Sequence, residues 1–428
     1  MIVLSCLFIL LLGPVVTHAQ TESIQQQIDS SQPGDIIELN EGKYNEDIII
    51  DKPIHLIGSE NVILTAKDSD PVISIKADNV VIENMLVEHI NKDGESPAIV
   101  ISSNQNTLEQ LKINTNNHGI QLDNASENKL SDITIIGNKN KAIKERKHGI
   151  DLKESHNNEL ENNSIKYVQD GIYVERSDGN KIRNNNISQS RYAYHLMFTK
   201  NTKLEKNNSS ENVGGMYIMG AEGTVVKHNI LKKNQENIQS LGLLVFDTVD
   251  AVIAENEIIN NRIGIFVESA SDNNFEFNTI HGNYIGLQFK SAENNNIVKN
   301  SFVANVVQGQ AKESFDNNTS QNYWGDHLGL DVTGNRISDL PYKVNPFFLS
   351  ITNEYPSFQL LFQSPGMIFL EQVISTPDDQ QLVDRSPLID NPLMVSDGDS
   401  LNQVPIMLFC MTLLILSTLT IYLGVKKQ

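Results

Sequence analysis

The chain has 428 residues, of which 53 are acidic and 33 are basic, and its formal net charge is −20 at pH 7. This charge argues against nucleic acids and anionic polysaccharides as partners. The only cysteines, Cys6 and Cys410, lie in hydrophobic segments at the two ends, so the rest of the chain can form neither a disulfide nor a cysteine-ligated metal site.

The first segment is typical of a secretory signal peptide. Residues 2–12 are an apolar run, Gly13 and Pro14 follow, and Thr17-His18-Ala19 has the small-x-small pattern of a cleavage site. We therefore expect residues 1–19 to be removed on export, which leaves Gln20 as the first mature residue.

Residues 20–70 are expected to form an N-terminal cap with the first strands. Ile24 and Ile28 lie four residues apart, which predicts a short amphipathic helix over residues 23–31. A Pro33-Gly34-Asp35 turn then leads into predicted strands around residues 36–39, 48–50 and 54–57. A stack of strands needs such a lid because its open end exposes apolar side chains and strand edges.

Residues 71–345 repeat with a period of 22 residues. Less regular segments open at Pro71, Pro97 and Gly119. The regular ones open at Gly149, Gly171, Ala193 and Gly215 and, after a gap of 27 residues, at Gly242, Gly264 and Gly286. A unit this short cannot bury its apolar face alone, so successive units must stack. The sequence therefore predicts an all-β protein, a right-handed parallel β-helix (a pectin-lyase-like solenoid) of about ten coils.

A column of asparagines repeats with the same spacing. Its members are Asn163, Asn185, Asn207, Asn229, Asn256, Asn278 and Asn300. Stacked at the roughly 4.8 Å spacing of paired strands, their amides can hydrogen-bond along the solenoid. We assign this column a structural role.

The side chains two and four steps after each opening residue should face solvent. In the central repeats these are Tyr173, His195, Met197, Tyr217, Met219, Leu244, Phe246 and Phe266. Such a patch predicts a protein-docking surface. A sharper hypothesis makes His195, Met197 and Met219 a Cu(I) site, because thioether sulfur and imidazole suit that ion. In the alternative, the methionines merely supply adaptable contact area.

Two insertions interrupt the repeats. Residues 138–147 hold a basic cluster that includes Lys144, Arg146 and Lys147, and a shorter extension covers residues 235–241. The basic cluster is predicted either to dock a partner or to be a solvated loop.

The C-terminal part changes character. Trp324 is the only tryptophan and is expected to close the last coil. Residues 346–403 are predicted to be tail segments and an acidic stalk. Residues 404–425 are apolar enough to form a transmembrane anchor, and Lys426 and Lys427 place residues 426–428 in the cytoplasm. The solenoid would then lie at the extracytoplasmic face of the membrane.

From about residue 22 to 372 the chain resembles the NosD family, the periplasmic β-helix maturation protein of nitrous-oxide reductase. The resemblance rests on the Pro33-Gly34-Asp35 entry, the segment 191–198 (RYAYHLMF), the next repeat ending in Met219, and the tail from Asn322-Tyr323-Trp324 to Pro341-Tyr342. It implies delivery of copper or assembly of the copper-sulfur site. It also implies four partners: the reductase, a copper chaperone, and an ABC-type permease and ATPase.

The main rival class is a β-helical polysaccharide lyase or hydrolase, or a surface glycan-binding protein. A hydrolase needs paired carboxylates about 5 to 10 Å apart. In the sequence, Asp151 and Glu175 lie near one end of the outward columns and Glu268 toward the other, and no compact cluster with a base is evident. We therefore expect no catalytic residues, and the one cofactor that the resemblance suggests is copper, bound transiently.

Overall fold

The computed structural model describes residues 23–67, 71–90, 95–237, 240–344 and 382–393, with a few isolated residues between 351 and 370. The predicted signal peptide, transmembrane anchor and cytoplasmic end, and most of the predicted tail, lie outside these residues. In the part of the chain that is described, no helix is long and apolar enough to cross a membrane.

The chain winds into a right-handed parallel β-solenoid with three sheets. The first sheet has 13 strands: Ile36–Glu38, His55–Ile57, Val81–Glu83, Thr107–Glu109, Lys129–Ser131, Glu159–Glu161, Lys181–Arg183, Lys203–Glu205, Val225–Lys227, Val252–Ala254, Asn274–Glu276, Asn296–Val298 and Asn318–Ser320. The second sheet also has 13: Gly42–Asn45, Val62–Thr65, Leu86–His89, Lys112–Thr115, Thr134–Ile136, Ser164–Lys166, Asn186–Ser188, Asn208–Ser210, Ile230–Lys232, Glu257–Ile259, Thr279–His281, Ser301–Val303 and Tyr323–Trp324.

The third sheet has 12 strands: Ile48–Ile50, Ile73–Ile75, Ile99–Ile101, Ile120–Asp123, Ile150–Lys153, Asp170–Glu175, Tyr192–Met197, Gly214–Met219, Leu241–Phe246, Ile263–Glu268, Ile285–Lys290 and Val307–Lys312. From Asp170–Glu175 onward these strands have six residues each. The third sheet is therefore the broadest face of the later coils.

The predicted class is confirmed, but the predicted number of coils is too low: the solenoid has about 13 turns. The strands that we assigned to a lid belong to the stack, since Ile36–Glu38 pairs with His55–Ile57 and Ile48–Ile50 pairs with Ile73–Ile75. These first coils lack the 22-residue spacing and the opening glycine, so the repeat pattern did not reveal them. What they share with the later coils is alternating burial of isoleucine, leucine and valine.

The asparagine column forms the predicted ladder inside the solenoid. The Oδ1 atom of Asn185 accepts hydrogen bonds from the backbone N–H and the Nδ2 of Asn163, at 2.9 and 3.0 Å. The Nδ2 of Asn163 also donates to the carbonyl of Leu130. Further asparagine ladders were not predicted, among them a short one through Asn273, Asn295 and Asn317 and two longer ones. One runs through Asn106, Asn128, Asn158 and Asn180, and the other through Asn212, Asn234, Asn261, Asn283 and Asn305.

Both ends of the stack are covered. At the N-terminal end the helix Ile24–Ser30 buries Ile24 and Ile28 completely, as predicted. At the other end Trp324 is 1% exposed and stacks between Phe302 and Tyr342, with ring centroids 4.4 and 4.6 Å away. The prediction that Trp324 closes the last coil is confirmed.

Part of the predicted acidic stalk instead completes the C-terminal closure. The strand Leu382–Asp384 pairs antiparallel with Tyr342–Val344. The Oδ2 atom of Asp384 accepts hydrogen bonds from the backbone N–H and the Nδ2 of Asn322 and from Nε1 of Trp324. Asp384 thus takes the place that the next asparagine would have in the ladder. A lone carboxylate carries no periodic signal, so composition alone suggested a stalk.

Candidate functional site on the outer wall of the third sheet

The predicted site residues lie on consecutive strands of the third sheet. In-register neighbours form two outward columns, Tyr173-His195-Tyr217-Leu244-Phe266 and Glu175-Met197-Met219-Phe246-Glu268. The alternate residues point inward, and Tyr194 and Leu196, for example, are completely buried. The predicted register and orientation are therefore confirmed.

A third outward column, not predicted, lies beside the other two. It consists of the residue that precedes each opening small residue: His118, His148, Asp170, Tyr192, Gly214, Leu241 and Ile263. Because these side chains pack against the neighbouring column, His195, Tyr217 and Leu244 are only 6 to 8% exposed. The patch that we expected to be exposed is therefore largely buried by contacts between the side chains of neighbouring columns.

The later coils of this wall carry an apolar cluster. It comprises Tyr192, Tyr217, Met219, Leu241, Leu244, Phe246, Ile263 and Phe266. The rings of Tyr192 and Tyr217 are stacked with centroids 3.8 Å apart, and Gly214 makes room for them because a Cβ there would collide with the Tyr217 ring. Of the residues predicted for docking, Tyr217, Leu244, Phe246 and Phe266 belong to this cluster, whereas Tyr173 lies among histidines instead.

A buried carboxylate anchors His195. Oδ1 and Oδ2 of Asp170 accept hydrogen bonds from Nε and Nη2 of Arg191 at 2.7 and 2.6 Å, and Oδ2 lies 2.9 Å from Nδ1 of His195. Burial alone would raise the pKa of Asp170, but the hydrogen bonds from His195 and Arg191 outweigh it and lower that pKa. The carboxylate is therefore ionised, so Nδ1 of His195 carries the proton and donates it. The opposite ring atom, Nε2, is buried and has no hydrogen-bond partner.

Two more histidines continue the wall toward the N-terminus. The rings of His118 and His148 are 5.2 Å apart, His148 stacks on Tyr173 at 4.8 Å, and Tyr173 lies 5.0 Å from His195. Burial lowers the pKa of both His118 and His148 to about 4, and each has a buried Nδ1 without a hydrogen-bond partner. Both imidazoles are therefore neutral at pH 7.

The same region holds an unusually weak acid. Burial, together with the charge of Glu175, raises the pKa of Asp151 to about 6. Oδ2 of Asp151 lies 3.7 Å from Nδ1 of His118. Burial and Glu175 also raise the pKa of Tyr173. This end of the wall is thus a dense set of ionisable side chains, in contrast to the apolar cluster.

Met197 and Met219 meet at the boundary between these two regions. They are in-register neighbours on adjacent strands, as predicted, so their backbones lie roughly 4.8 Å apart. The Sδ atom of Met197 accepts a hydrogen bond from the Tyr173 hydroxyl at 3.3 Å, and that hydroxyl lies equally far from Glu175 Oε2. Within the described ranges, no three His, Cys, Asp or Glu side chains are placed to hold a metal ion together. Any copper site on this wall therefore needs methionine sulfur.

The basic insertion is held in place by its own cations. Arg146 donates to the carbonyls of Lys141, Lys139 and Gln189 at 3.0 to 3.2 Å. Lys147 forms an ion pair with Glu95 at 3.0 Å. Of the three predicted partner-binding cations, Arg146 and Lys147 are thus already engaged, and Lys144 lies in the short 3-10 helix Ile143–Glu145.

The structure brings more ionisable side chains together on this wall than the sequence indicated. Asp170, Arg191 and His195 are in direct contact, and Asp151 and Glu175 lie on neighbouring strands of the same face. The sequence argument considered only two outward columns and missed the one that contains His148, Asp170 and Tyr192. The 22-residue spacing of these three residues, one position before the opening residue, could have revealed them.

The comparisons with known proteins support both the family and the fold. Residues 134–342 match the model of the NosD family, described as periplasmic copper-binding protein. The match covers most of the wall described above, and the predicted resemblance is confirmed over these residues. Among curated protein sequences, none matches this chain.

Among solved structures, an alginate lyase, AlyF-OU02 with G6, is similar with a TM-score of 0.56 and 13% identity, over 70% of this chain and 82% of the lyase. Tailspike protein 3 of bacteriophage CBA120 is similar with a TM-score of 0.50 and 11% identity, over 73% of this chain and 56% of the tailspike. The Dettilon tailspike protein has a TM-score of 0.48 and 10% identity, over 74% of this chain and 66% of that protein. At these identities the likeness shows the solenoid fold alone, and this chain spans only part of either tailspike.

Proposed function

Because residues 134–342 match the model of the NosD family, we propose that this chain is an extracytoplasmic accessory protein for the maturation of nitrous-oxide reductase. In this role it takes part in copper delivery or copper-sulfur site assembly. Its proposed partners are the reductase, a copper chaperone, and an ABC-type permease and ATPase. Copper is the cargo of the protein rather than a resident cofactor, and the protein itself is not an enzyme.

The observation that carries the copper proposal is the free Nε2 atom of His195. A histidine that binds a metal commonly donates its other ring N–H to a carboxylate, which fixes the tautomer and the ring orientation. Asp170 makes this contact with Nδ1 of His195. The ring nitrogen that remains for a metal is Nε2, and His195 lies in the column beside the one that holds Met197 and Met219.

The donor set fits Cu(I). Thioether sulfur and imidazole nitrogen are soft or borderline ligands that suit this ion, and methionine side chains are flexible enough to converge on it. Two features of the structure must change before copper can bind. Nε2 of His195, which is buried, must become accessible, and the hydrogen bond from the Tyr173 hydroxyl to Sδ of Met197 must break. Transient binding is the expected consequence, because each contact is restored when the ion leaves.

A Cu(I) titration of the purified full-length protein against a chromophoric chelator tests this proposal. Met197→Leu/Met219→Leu keeps the apolar volume but removes both sulfurs, and we expect at least a tenfold loss of affinity. Phe246→Ala, in the same column, removes apolar area without removing a ligand, and is expected to leave the affinity unchanged. Wild-type affinity in the leucine variant would leave the methionines as contact area alone.

The docking part of the proposal rests on the apolar cluster and on Lys144. Phe246 and Phe266 are partly exposed rings of that cluster. Phe246→Ser/Phe266→Ser is expected to weaken capture of the copper-depleted reductase, with Cu(I) affinity retained. Unchanged capture by this variant would remove the cluster as the docking surface.

We also propose that the protein is exported and tethered by its C-terminal segment. This proposal rests on the apolar segments 2–12 and 404–425 in the sequence and on the periplasmic description of the family. Deletion of residues 404–428 should move the protein from the membrane fraction to the soluble periplasmic fraction. Recovery of the deleted form in membranes would contradict the tether.

One observation favours a second candidate, a carbohydrate-active enzyme. Asp151, with a pKa of about 6, lies on the strand next to that of Glu175, and carboxyl groups in such different environments can divide the roles of acid and base. Incubation of the full-length protein with uronate polymers and neutral glycans separates the candidates. Turnover that is lost in Asp151→Asn would favour the enzyme.

A further inference from the structure

The insertion at residues 138–147 encloses a pocket that is separate from the wall of the third sheet. Its volume is about 540 Å³. Its floor is the outward column at the end of the second sheet, where Asn114, Ile136 and Lys166 are in-register neighbours. Asn138 and Lys139 of the insertion, together with Ile90 and Tyr167, also line the pocket.

The pocket is positively charged on an acidic protein. The lining residues that the structure describes include two lysines and no Asp or Glu, whereas the chain as a whole has a net charge of −20. Among the described residues, neither Lys139 nor Lys166 has a carboxylate oxygen within ion-pairing distance, in contrast to Lys147 nearby. Two ammonium groups that line the same concave site attract an anionic ligand.

The pocket is preformed. Arg146 binds three backbone carbonyls, Lys141 donates from Nζ to the carbonyl of Asn116, and Asn138 donates to Asn116 Oδ1 at 2.9 Å. The bonds to Asn116 fix the insertion against the preceding coil, and the bond to Gln189 fixes it against a later one. A ligand therefore binds without having to order the loop, which lowers the entropic cost of binding.

The lining also has an apolar part. Ile90 is 57% exposed, and Ile136 and the Tyr167 ring lie beside it. A narrow cleft that shares Tyr167 with the pocket contains Asn117, whose buried Nδ2 has no acceptor. A simple oxyanion would use the lysines but leave the apolar side chains in water. A peptide that carries carboxylates and apolar side chains covers both.

We propose that this pocket binds an acidic peptide segment of a protein partner. A carboxylate of the segment lies between Lys139 and Lys166, and a neighbouring apolar side chain covers Ile90 and Ile136. This site differs from the wall that we propose for copper, and it does not depend on copper binding.

Fluorescence anisotropy of the full-length protein with a labelled peptide of alternating glutamate and leucine tests the proposal. We expect binding that weakens with salt and falls at least tenfold in Lys139→Glu/Lys166→Glu. Lys129→Glu/Lys203→Glu makes the same charge change on the exposed face of the first sheet and should retain wild-type affinity. Ile90→Ser should weaken binding severalfold without any change of charge.

Two outcomes would overturn the proposal. Equal loss of binding in both lysine pairs would mean that general charge, and not the pocket, attracts the peptide. Inorganic phosphate that displaces the peptide at similar concentrations, together with no effect of Ile90→Ser, would show a simple anion site.

Discussion

At the scale of single residues, the decisive feature is the anchoring of His195. Its position in an outward column follows from the repeat, but its tautomer and its buried Nε2 follow from Asp170, which belongs to the preceding coil. Arg191 holds the other side of that carboxylate. The chemistry of the ring is thus set by a neighbour 25 residues away in the chain.

Asp170→Asn should weaken Cu(I) binding by 10- to 100-fold, the usual effect of losing the partner that orients a metal-binding histidine. The amide no longer fixes the proton on Nδ1, so nitrogen NMR of the His195 ring should show a shifted tautomer population. Glu175→Gln, a charge-neutralising change on the same wall, is the matched control. Unchanged affinity and tautomer in Asp170→Asn would contradict the positioning role.

The stability of the fold should fall as the pH drops from 6.5 to 4. His118 and His148 have folded-state pKa values of about 4, below the ordinary 6.5, so the unfolded chain takes up two more protons in this window. Asp151 has the opposite effect. Its pKa of about 6 means that the folded chain binds one proton there that the unfolded chain releases, so its contribution to stability is lost as the pH rises through 6. The free energy of unfolding should therefore fall by about 1 kcal/mol for each unit by which the pH is lowered.

Urea unfolding at several pH values measures this slope. His118→Asn/His148→Asn removes the two groups that favour neutral pH and leaves Asp151. The slope should then vanish or reverse between pH 4 and 6. A slope equal to that of the wild type would show that other groups control it; Asp170, Lys147 and Arg191 also face these rings.

At the scale of elements, the asparagine ladders connect each coil to the next. Asn207 accepts from the backbone N–H and the Nδ2 of Asn185, and its own Nδ2 donates to the carbonyl of Ile182 and to Asn229. All of these atoms are buried. An interruption at one coil therefore leaves unpaired polar groups in two neighbouring coils.

Asn207→Ala should destabilise the protein by about 2–4 kcal/mol, because several buried donors and acceptors lose their partners at once. Asn186→Ala, at an exposed position of the next column, should cost less than about 0.5 kcal/mol. Chemical denaturation of both variants checks the difference. Similar losses in the two would mean that the ladder contributes no more than a surface amide.

At the scale of the whole molecule, stability depends on closure of the two ends, because each coil contacts only its neighbours. The N-terminal helix covers one end. The other depends on Leu382–Asp384, a strand that returns from far along the chain to satisfy Asn322 and Trp324.

Asp384→Ala should lower stability by about 3 kcal/mol or more, because Nε1 of Trp324 and the backbone N–H of Asn322 would be buried without an acceptor, whereas Nδ2 of Asn322 keeps the carbonyl of Ile297. The last coil should also lose hydrogen-exchange protection before the central coils do. Asp390→Ala, which removes an exposed partner of Arg336, is the control and should be nearly neutral. Uniform loss of protection along the solenoid would contradict a local closure.

The sequence by itself determined the solenoid, the direction of its side chains and the principal asparagine ladder. These features follow from the repeat, because stacking of successive coils brings residues that are 22 apart in the sequence into contact. Only the tertiary structure decided the first coils, the closure by Asp384 and the Asp170 contact to His195. The first coils lack the 22-residue spacing, Asp384 comes from a distant strand, and the spacing that aligns Asp170 with its column does not show that its carboxylate reaches His195 in the neighbouring column.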